Sequence, residues 1–116
     1  RLYVCVYTRA RARLQQQGGE EMGSEKAIEQ YLVKKVREAG GIAYKFVSPG
    51  NRGVPDRVVV FPDGRIVFAE IKCDTGELSA QQNNQIKKLR RLNQTVRVIY
   101  SKEEVNMFMS EFGGRL

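Results

Sequence analysis

The fold is decided by one stretch of the sequence, Val54-Pro55-Asp56-Arg57-Val58-Val59-Val60-Phe61-Pro62-Asp63-Gly64-Arg65-Ile66-Val67-Phe68-Ala69-Glu70-Ile71-Lys72. Two short apolar runs rich in β-branched residues flank a Pro-Asp-Gly turn, a pattern typical of two strands joined in a β-hairpin. Charged residues stand at the end of this apolar ribbon, because Asp56 begins the first strand and Glu70 and Lys72 end the second. Burying a charge without a partner is unfavourable, so this placement indicates a specific role.

The turn at residues 62–64 predicts which side chains meet across the hairpin. Proline suits the second position of a type I turn, aspartate suits the third, and glycine suits the left-handed conformation that follows. The resulting three-residue loop places Asp56 opposite Glu70, with Lys72 on the same face of the hairpin. A two-residue loop would instead pair Asp56 with Ile71 and send its side chain to the other face. The turn chemistry favours convergence of the charges.

The facing carboxylates of Asp56 and Glu70 have two interpretations. Two carboxylates directly opposite each other repel unless a cation lies between them or one of them binds a proton. Oxygen ligands of this kind suit Mg²⁺ or Mn²⁺, and the adjacent Lys72 suits phosphate chemistry. The alternative is a solvated hairpin end with an ordinary contact between Glu70 and Lys72. The spacing alone leaves both interpretations open.

Length and composition restrict the classes of function. The chain has 116 residues, which is enough for one domain with a modest core, and no apolar run approaches membrane-spanning length. A formal net charge of +7 favours a polyanionic partner such as nucleic acid. The sequence contains no histidine, which excludes histidine triads and a histidine general base. The two cysteines, Cys5 and Cys73, form no zinc pattern and make a reducing cytoplasm the expected compartment.

Residues 1–21 differ from the rest of the chain. They show no clear apolar period, and the codons for residues 18–21 (Gly-Gly-Glu-Glu) would resemble a bacterial ribosome-binding site just before Met22. We therefore expect residues 1–21 to be a non-native or disordered extension, and residues 22–116 to form a single domain. A secretory signal is the alternative, although its charged first region and long apolar stretch are lacking.

The remaining chain reads as alternating helices and strands. Ser24 can cap a helix that ends near Ala39, and residues 42–47 form a strand before the hairpin. A capping box, Ser79-Ala80-Gln81-Gln82, begins a helix that ends near Leu92, and a strand at residues 95–100 follows. A second capping box, Ser101-Lys102-Glu103-Glu104, begins the last helix. The predicted order is α-β-β-β-α-β-α, an α/β fold in which helices cover a central mixed sheet in three layers.

Three polar residues outside the hairpin are candidates for the same site. Glu25 is in line with the apolar stripe of the first helix. Its negative charge either only interacts favourably with the helix dipole or adds a carboxylate at the rim of the site. Gln82 lies on the same helix face as Ile86, and it either completes the capping box only or points into the site. Arg52 precedes Asp56 in a turn-rich loop, where it either holds a phosphate or is a solvated arginine.

The ordered set of these motifs resembles the VRR-NUC family of the PD-(D/E)XK nuclease superfamily. The motifs that carry the resemblance are Glu25 on the first helix, Gly53-Val54-Pro55-Asp56, Ala69-Glu70-Ile71-Lys72, and Gly76-Glu77-Leu78-Ser79-Ala80-Gln81-Gln82. The resemblance runs from about Ser24 to Phe108. Val54 stands where many members have glycine, and Ala80 stands where proline is common. Residues 1–21 have no counterpart in it.

The resemblance implies a restriction-endonuclease-like core and metal-dependent hydrolysis of phosphodiester bonds in DNA. Asp56, Glu70 and the backbone carbonyl of Ile71 would bind Mg²⁺ or Mn²⁺. Lys72 would orient or activate the attacking water and stabilise the charge that develops on the phosphorane. In addition, Gln82 would hold Lys72 or the water. Glu25 would lie at a second metal or at a water in the inner sphere.

The resemblance also implies the partners. Small members that stand alone resemble structure-selective endonucleases acting on four-way junctions and branched DNA, and their genes are frequent in phages and prophages. A junction presents two strands for symmetric cleavage, which favours a homodimer over a monomer. The alternatives are a restriction or repair nuclease acting on duplex or flap ends, and a basic DNA-binding module that cuts nothing. The residues expected to contact DNA are Arg52, Arg57, Lys87, Lys88 and Arg91.

Overall fold

The computed structural model describes residues 24–73 and 75–113. The extension expected at residues 1–21 lies outside the described residues. The described part of the chain contains, in order, α1 (Glu25–Glu38), β1 (Ile42–Lys45), β2 (Arg57–Val60), β3 (Ile66–Ile71), α2 (Ala80–Arg91), β4 (Thr95–Ile99) and α3 (Lys102–Phe112). This is the predicted order, and the predicted α/β fold class is confirmed. No helix in residues 24–73 or 75–113 is long and apolar enough to cross a membrane.

The four strands form one mixed sheet in the order β1-β2-β3-β4. The pairs β1–β2 and β2–β3 are antiparallel, whereas β3 and β4 are parallel. Parallel neighbours cannot be joined by a tight turn, and α2 supplies the crossover between β3 and β4. The central mixed sheet of the prediction is therefore present.

The hairpin between β2 and β3 has the predicted register. The Phe61 N–H donates to the Arg65 carbonyl at 2.9 Å, and the Gly64 N–H donates to the Phe61 carbonyl at 2.9 Å. Gly64 takes the left-handed conformation with φ of +93°, which a glycine adopts without steric cost. Val60 consequently pairs with Ile66. The Pro-Asp-Gly turn thus forms the three-residue loop that its chemistry predicts.

The main core lies on one face of the sheet, beneath α1 and α3. It is built from apolar side chains of both helices and of alternate positions in the strands: Ile28, Leu32, Val36, Val59, Phe61, Val67, Ala69, Ile71, Ile99, Val105, Phe108 and Phe112. The rings of Phe61, Phe108 and Phe112 lie with centroids 5.0 to 6.0 Å apart. Full burial of one such side chain contributes about 1.5–3 kcal/mol. This core fixes the sheet that carries the hairpin.

The opposite face of the sheet is covered only in part. α2 packs against β4, where Ile86 and Val96 are buried. At the other edge of the sheet, Ile42, Tyr44 and Ile66 remain about half exposed, at 51%, 58% and 48%. The three-layer arrangement is confirmed, with α1 and α3 on one side and α2 alone on the other.

Apart from shifts of one residue at the ends of elements, two local features differ from the prediction. β1 ends at Lys45, two residues earlier than the expected strand end. The second capping box forms only in part, because the Ser101 hydroxyl accepts from the Glu104 N–H at 3.1 Å but the Glu104 carboxylate accepts from the Tyr100 N–H at 2.9 Å. The carboxylate satisfies the backbone donor one residue before the cap, and it is buried there with Ser101.

Candidate functional site

Two carboxylates face each other at the open end of the hairpin. Val58 pairs with Phe68, so the same register continued by two residues places Asp56 opposite Glu70. Both side chains lie on the α2 side of the sheet, because side chains alternate between faces. Asp56 is anchored across the hairpin, since its Oδ2 accepts from the Ile71 N–H at 2.9 Å. The convergence predicted from the turn is present in the structure.

Glu70 is an acidic residue held almost completely out of solvent, with 1% of its surface exposed. Its Oε2 accepts a hydrogen bond from Gln82 Nε2 at 2.9 Å, and the Lys72 ammonium lies 3.9 Å from the same oxygen. Its Oε1 is also buried, and it has no hydrogen-bond partner among the described residues. A carboxylate that is buried and half satisfied is unfavourable unless something further binds it.

The electrostatics of the pair agree with this geometry. Burial, and then the neighbouring Asp56 carboxylate, raise the pKa of Glu70 to about 8, although Lys72 opposes the effect. Burial also raises the pKa of Asp56, against the opposing influence of its bond from the Ile71 N–H. Two adjacent carboxyls whose pKa values are both raised hold a proton more readily than usual. A cation between them would remove the repulsion.

Gln82 combines the two roles that the sequence left as alternatives. Its Oε1 accepts from the Ser79 backbone N–H at 2.9 Å and so completes the capping box of α2. Its Nε2 donates to Glu70 at the same time. Because the backbone donor of Ser79 occupies the amide oxygen, the amide nitrogen is the group left to face the carboxylate. The cap therefore connects the start of α2 with the buried acid.

Glu25 and Ile71 complete the set of acids and carbonyls expected here. Glu25 is exposed at the first turn of α1, and its negative charge raises the pKa of both Asp56 and Glu70. It therefore lies near the pair without being buried beside it. Ile71 follows Glu70 at the end of β3 and is itself buried. The structure brings both residues to the end of the hairpin that carries the carboxylates.

The oxygen atoms of this site suit a divalent cation that takes only some of its ligands from the protein. Within residues 24–73 and 75–113, no group of three or more His, Cys, Asp or Glu side chains is arranged to hold a metal ion. Asp56 and Glu70 supply two carboxylates, and the unpartnered Glu70 Oε1 is an acceptor that a cation would satisfy. Mg²⁺ is commonly bound through one or two carboxylates while it keeps water and substrate phosphate as further ligands. The residues present fit such an ion.

Comparison with solved structures relates this arrangement to a known fold. A solved VRR_NUC domain superposes with a TM-score of 0.72 and 25% sequence identity, and the match covers 76% of this chain and 96% of that one. The chain has the VRR-NUC fold. The resemblance predicted from the motifs is thereby confirmed, although no protein-family model matches the chain.

One curated relative carries a functional name. The protein named "Putative nuclease p44" of Acyrthosiphon pisum secondary endosymbiont phage 1 is 63% identical over 49 residues, which are 42% of this chain and 53% of that protein. The chain therefore spans about half the length of the curated relative that it matches.

Arg57, which we expected to contact DNA, forms an ion pair inside the protein. Its Nε lies 2.7 Å from Glu29 Oε2, and its Nη1 donates to the Ala43 carbonyl at 3.0 Å. Strand alternation sends Arg57 to the α1 side of the sheet, away from Asp56, and Glu29 on α1 neutralises its charge. This internal ion pair argues against the expected DNA contact, which stays a prediction that the salt dependence of DNA binding tests. Sequence reasoning missed Glu29, although it lies one helical turn after Glu25.

The other expected DNA-contacting residues of the VRR-NUC fold are exposed. Lys87, Lys88 and Arg91 project from the second half of α2, and Arg52 lies in the loop before Asp56. None of the four forms an ion pair with another described residue. By contrast, Arg90 donates to the Val96 carbonyl at 2.7 Å and so connects α2 to β4. The exposed cations on α2 are available to a polyanion.

Proposed function

We propose that this protein is a metal-dependent nuclease that hydrolyses phosphodiester bonds in DNA. The buried Glu70 carboxylate carries the proposal: it faces Asp56, one of its oxygens is held by Gln82, and the other has no partner within residues 24–73 and 75–113. A DNA-binding module does not need this unfavourable arrangement, whereas a metal-dependent hydrolase needs carboxylates that bind its metal ion. The VRR-NUC fold and the nuclease name of the phage relative support the same function.

Asp56, Glu70 and the carbonyl of Ile71 would hold Mg²⁺ or Mn²⁺. When bound, such an ion supplies Lewis acidity and a more acidic water. Lys72 lies 3.9 Å from Glu70 with 14% of its side chain exposed, so its ammonium group remains available at the edge of the site. There it donates hydrogen bonds to the attacking water or to a phosphate oxygen and stabilises the developing negative charge.

Gln82 and Glu25 act on this site in different ways. Gln82 fixes one oxygen of Glu70 through the 2.9 Å hydrogen bond, which leaves the second oxygen as the ligand atom. We assign to Glu25 a place at the rim, where its carboxylate holds a water or a second cation. Because the pKa of Glu70 is raised to about 8, Glu70 must lose its proton before it can bind the metal ion at neutral pH. Activity should therefore rise with pH.

The proposed substrate is branched DNA, with four-way junctions first. Exposed Lys87, Lys88 and Arg91 on α2, together with Arg52, would contact backbone phosphates. Such contacts position DNA without reading its sequence, which suits an enzyme that selects by shape. The phage origin of the relative supports action in the cytoplasm of a bacterial host cell.

The proposed assembly is a homodimer. Ile42, Tyr44 and Ile66 share one face of the sheet and are about half exposed, so α2 leaves this part of the face uncovered. The three side chains are uncharged, so a second copy that packs on them buries apolar surface at these positions. Light scattering should give the mass of a dimer for the parent and of a monomer for Tyr44→Lys.

A panel of DNA substrates tests the function. The purified protein is incubated with a synthetic four-way junction, a flap and a linear duplex of equal length, with Mg²⁺, with Mn²⁺ or with chelator. Asp56→Asn, Glu70→Gln and Lys72→Met are compared with Glu38→Gln, which alters an exposed glutamate at the far end of α1. We expect metal-dependent nicking, strongest on the junction, that the three site variants lose and the control keeps.

Three results would change the proposal. Equal cleavage by the parent and all three site variants would identify a contaminating nuclease. Binding of DNA without cleavage under any metal condition would leave a basic DNA-binding module. Cleavage that is strongest on the duplex or flap would keep the nuclease and replace the junction as substrate.

A further inference from the structure

The loop before Asp56 makes backbone contact with the first turn of α2 at a single glycine. Gly53 has φ of +89°, and a Cβ built on it would lie 2.5 Å from the Gln81 carbonyl carbon and 2.7 Å from the Gln82 nitrogen. Carbon atoms in ordinary contact are about 3.5 Å or more apart. Only glycine therefore allows the loop and the helix to approach this closely.

This contact closes a ring of interactions around the two carboxylates. Gly53 leads through two residues to Asp56, whose Oδ2 accepts from the Ile71 N–H at 2.9 Å. Ile71 follows Glu70, whose Oε2 accepts from Gln82 Nε2 at 2.9 Å. The backbone of Gln82 then lies against Gly53. Each carboxylate is thus held by a partner whose position depends on the other segments of the ring.

The N-terminal cap of α2 transmits the position of the helix to Glu70. Ser79 accepts from the Gln82 N–H at 3.1 Å, and its own N–H donates to Gln82 Oε1 at 2.9 Å. With its oxygen bound in this way, the Gln82 side chain moves with the first turn of the helix. A shift of that turn therefore moves the donor that Glu70 uses.

We propose that Gly53 is a positioning residue of the site. By lacking a Cβ, it lets the first turn of α2 lie against the Asp56 loop, and this contact holds the Gln82 amide on Glu70. A methyl group at Gly53 needs roughly 1 Å of additional room. The hydrogen bond of 2.9 Å between Gln82 and Glu70 does not tolerate such a displacement, because N–H···O bonds lie between about 2.7 and 3.2 Å. The catalytic meaning of this role rests on the proposed nuclease function.

The same loop offers a matched control. Gly50 also has a left-handed backbone, with φ of +84°, but a Cβ there would meet nothing within 4 Å. Alanine at either position therefore has the same type of backbone strain, and only Gly53→Ala adds the contact with α2. A difference between the two variants isolates the contact from the strain.

The experiment has one readout in the folded protein and one in catalysis. Side-chain amide resonances in ¹⁵N-labelled protein report on Gln82, and Gln82→Met assigns them. Nicking of the four-way junction with Mn²⁺ gives kcat and KM. Gly53→Ala should move the Gln82 resonances toward those of exposed glutamines and lower kcat about tenfold or more, with KM within about twofold. Gly50→Ala should leave the resonances and kcat unchanged.

Equal resonances and equal kcat in the two alanine variants would overturn the proposal. If Gly53→Ala does not fold while Gly50→Ala does, the contact with α2 is required for folding, and two variants of Ser79 then test its transmission to Gln82. Both Ser79→Ala and Ser79→Pro lose the hydroxyl, and proline, which suits the φ of −72°, also loses the N–H that binds Gln82 Oε1. Moved resonances in Ser79→Pro but not in Ser79→Ala would support transmission through the cap, and unmoved resonances in both would refute it. If the parent cuts no DNA, the proposed function fails, while the resonances still decide the role of Gly53.

Discussion

Replacing Glu70 by glutamine should stabilise this protein, by an amount that depends on pH. Glutamine keeps the shape and an oxygen acceptor for Gln82, and it removes the charge that is buried beside Asp56. The pKa of the Glu70 carboxyl is raised from 4.5 to about 8, chiefly by burial and then by Asp56. At about 1.4 kcal/mol for each tenfold change in proton affinity, this corresponds to roughly 5 kcal/mol between the fully protonated and fully ionised limits.

The direction of the pH dependence follows from proton binding by Glu70 in the folded and the unfolded chain. Below pH 4.5, Glu70 is neutral in both the folded and the unfolded chain, and its contribution to stability is fully present. Between pH 4.5 and about 8 the folded protein keeps a proton that the unfolded chain has lost, so the free energy of unfolding falls as pH rises. Relative to Glu70→Gln, the parent should be about 3 kcal/mol less stable at pH 7, and the deficit should level off above pH 8.

Urea denaturation at pH 5, 7 and 9 in the presence of chelator measures this difference. Glu38→Gln is the control, because it removes a carboxylate that is largely exposed. Its free energy of unfolding should change with pH in the same way as that of the parent. Saturating Mn²⁺ at pH 8 should stabilise the parent, by about 2.7 kcal/mol at one hundred times its dissociation constant, and should stabilise Glu70→Gln far less. Parallel curves for the parent and Glu70→Gln from pH 5 to pH 9 would refute the electrostatic description of the site.

Three further perturbations address other parts of the molecule. Lys72→Met should lower kcat about 100-fold or more with little change in DNA affinity, because the ammonium acts on the developing charge, and single-turnover nicking measures it. Lys88→Gln combined with Arg91→Gln should reduce the slope of log K against log salt by about 2, as measured by fluorescence anisotropy, and an unchanged slope would remove these residues from the DNA surface. Arg57→Ala should lower the free energy of unfolding by about 2 kcal/mol, because it leaves the Glu29 carboxylate without its closer cation, and it should leave the salt dependence of DNA binding unchanged. A change in the salt slope with Arg57→Ala would restore the expected DNA contact.

Local chemistry explains why much of the site could be predicted from the sequence. The Pro-Asp-Gly turn selects a loop length, the loop length sets the register, and the register places Asp56 opposite Glu70. The start of α2 could be predicted equally well, because Ser79 and Gln82 form the capping box through hydrogen bonds within four residues. Such signals depend on neighbours in the chain and not on the rest of the fold.

Other contacts depend on which layers pack together. Arg57 was expected to bind DNA, but its partner Glu29 is 28 residues away on a helix that packs on the opposite face of the sheet. The sequence shows that Arg57 alternates away from Asp56, yet it does not show that an acid of α1 lies there. A residue whose charge is neutralised by tertiary packing looks the same in sequence as one that is free.

By itself, the sequence determined the order of helices and strands, the hairpin register and the convergence of Asp56 and Glu70, because caps, turns and strand alternation are short-range effects. Only the tertiary structure decided that Gln82 serves both its helix cap and Glu70, and that Arg57 is neutralised by Glu29. It alone showed that Gly53 lies against the first turn of α2. The contacts of Gln82 and Gly53 depend on the crossover after β3, which places α2 over the end of the hairpin, whereas the pair of Arg57 and Glu29 depends on the packing of α1 on the other face. Both placements arise from burial of side chains distant in the sequence.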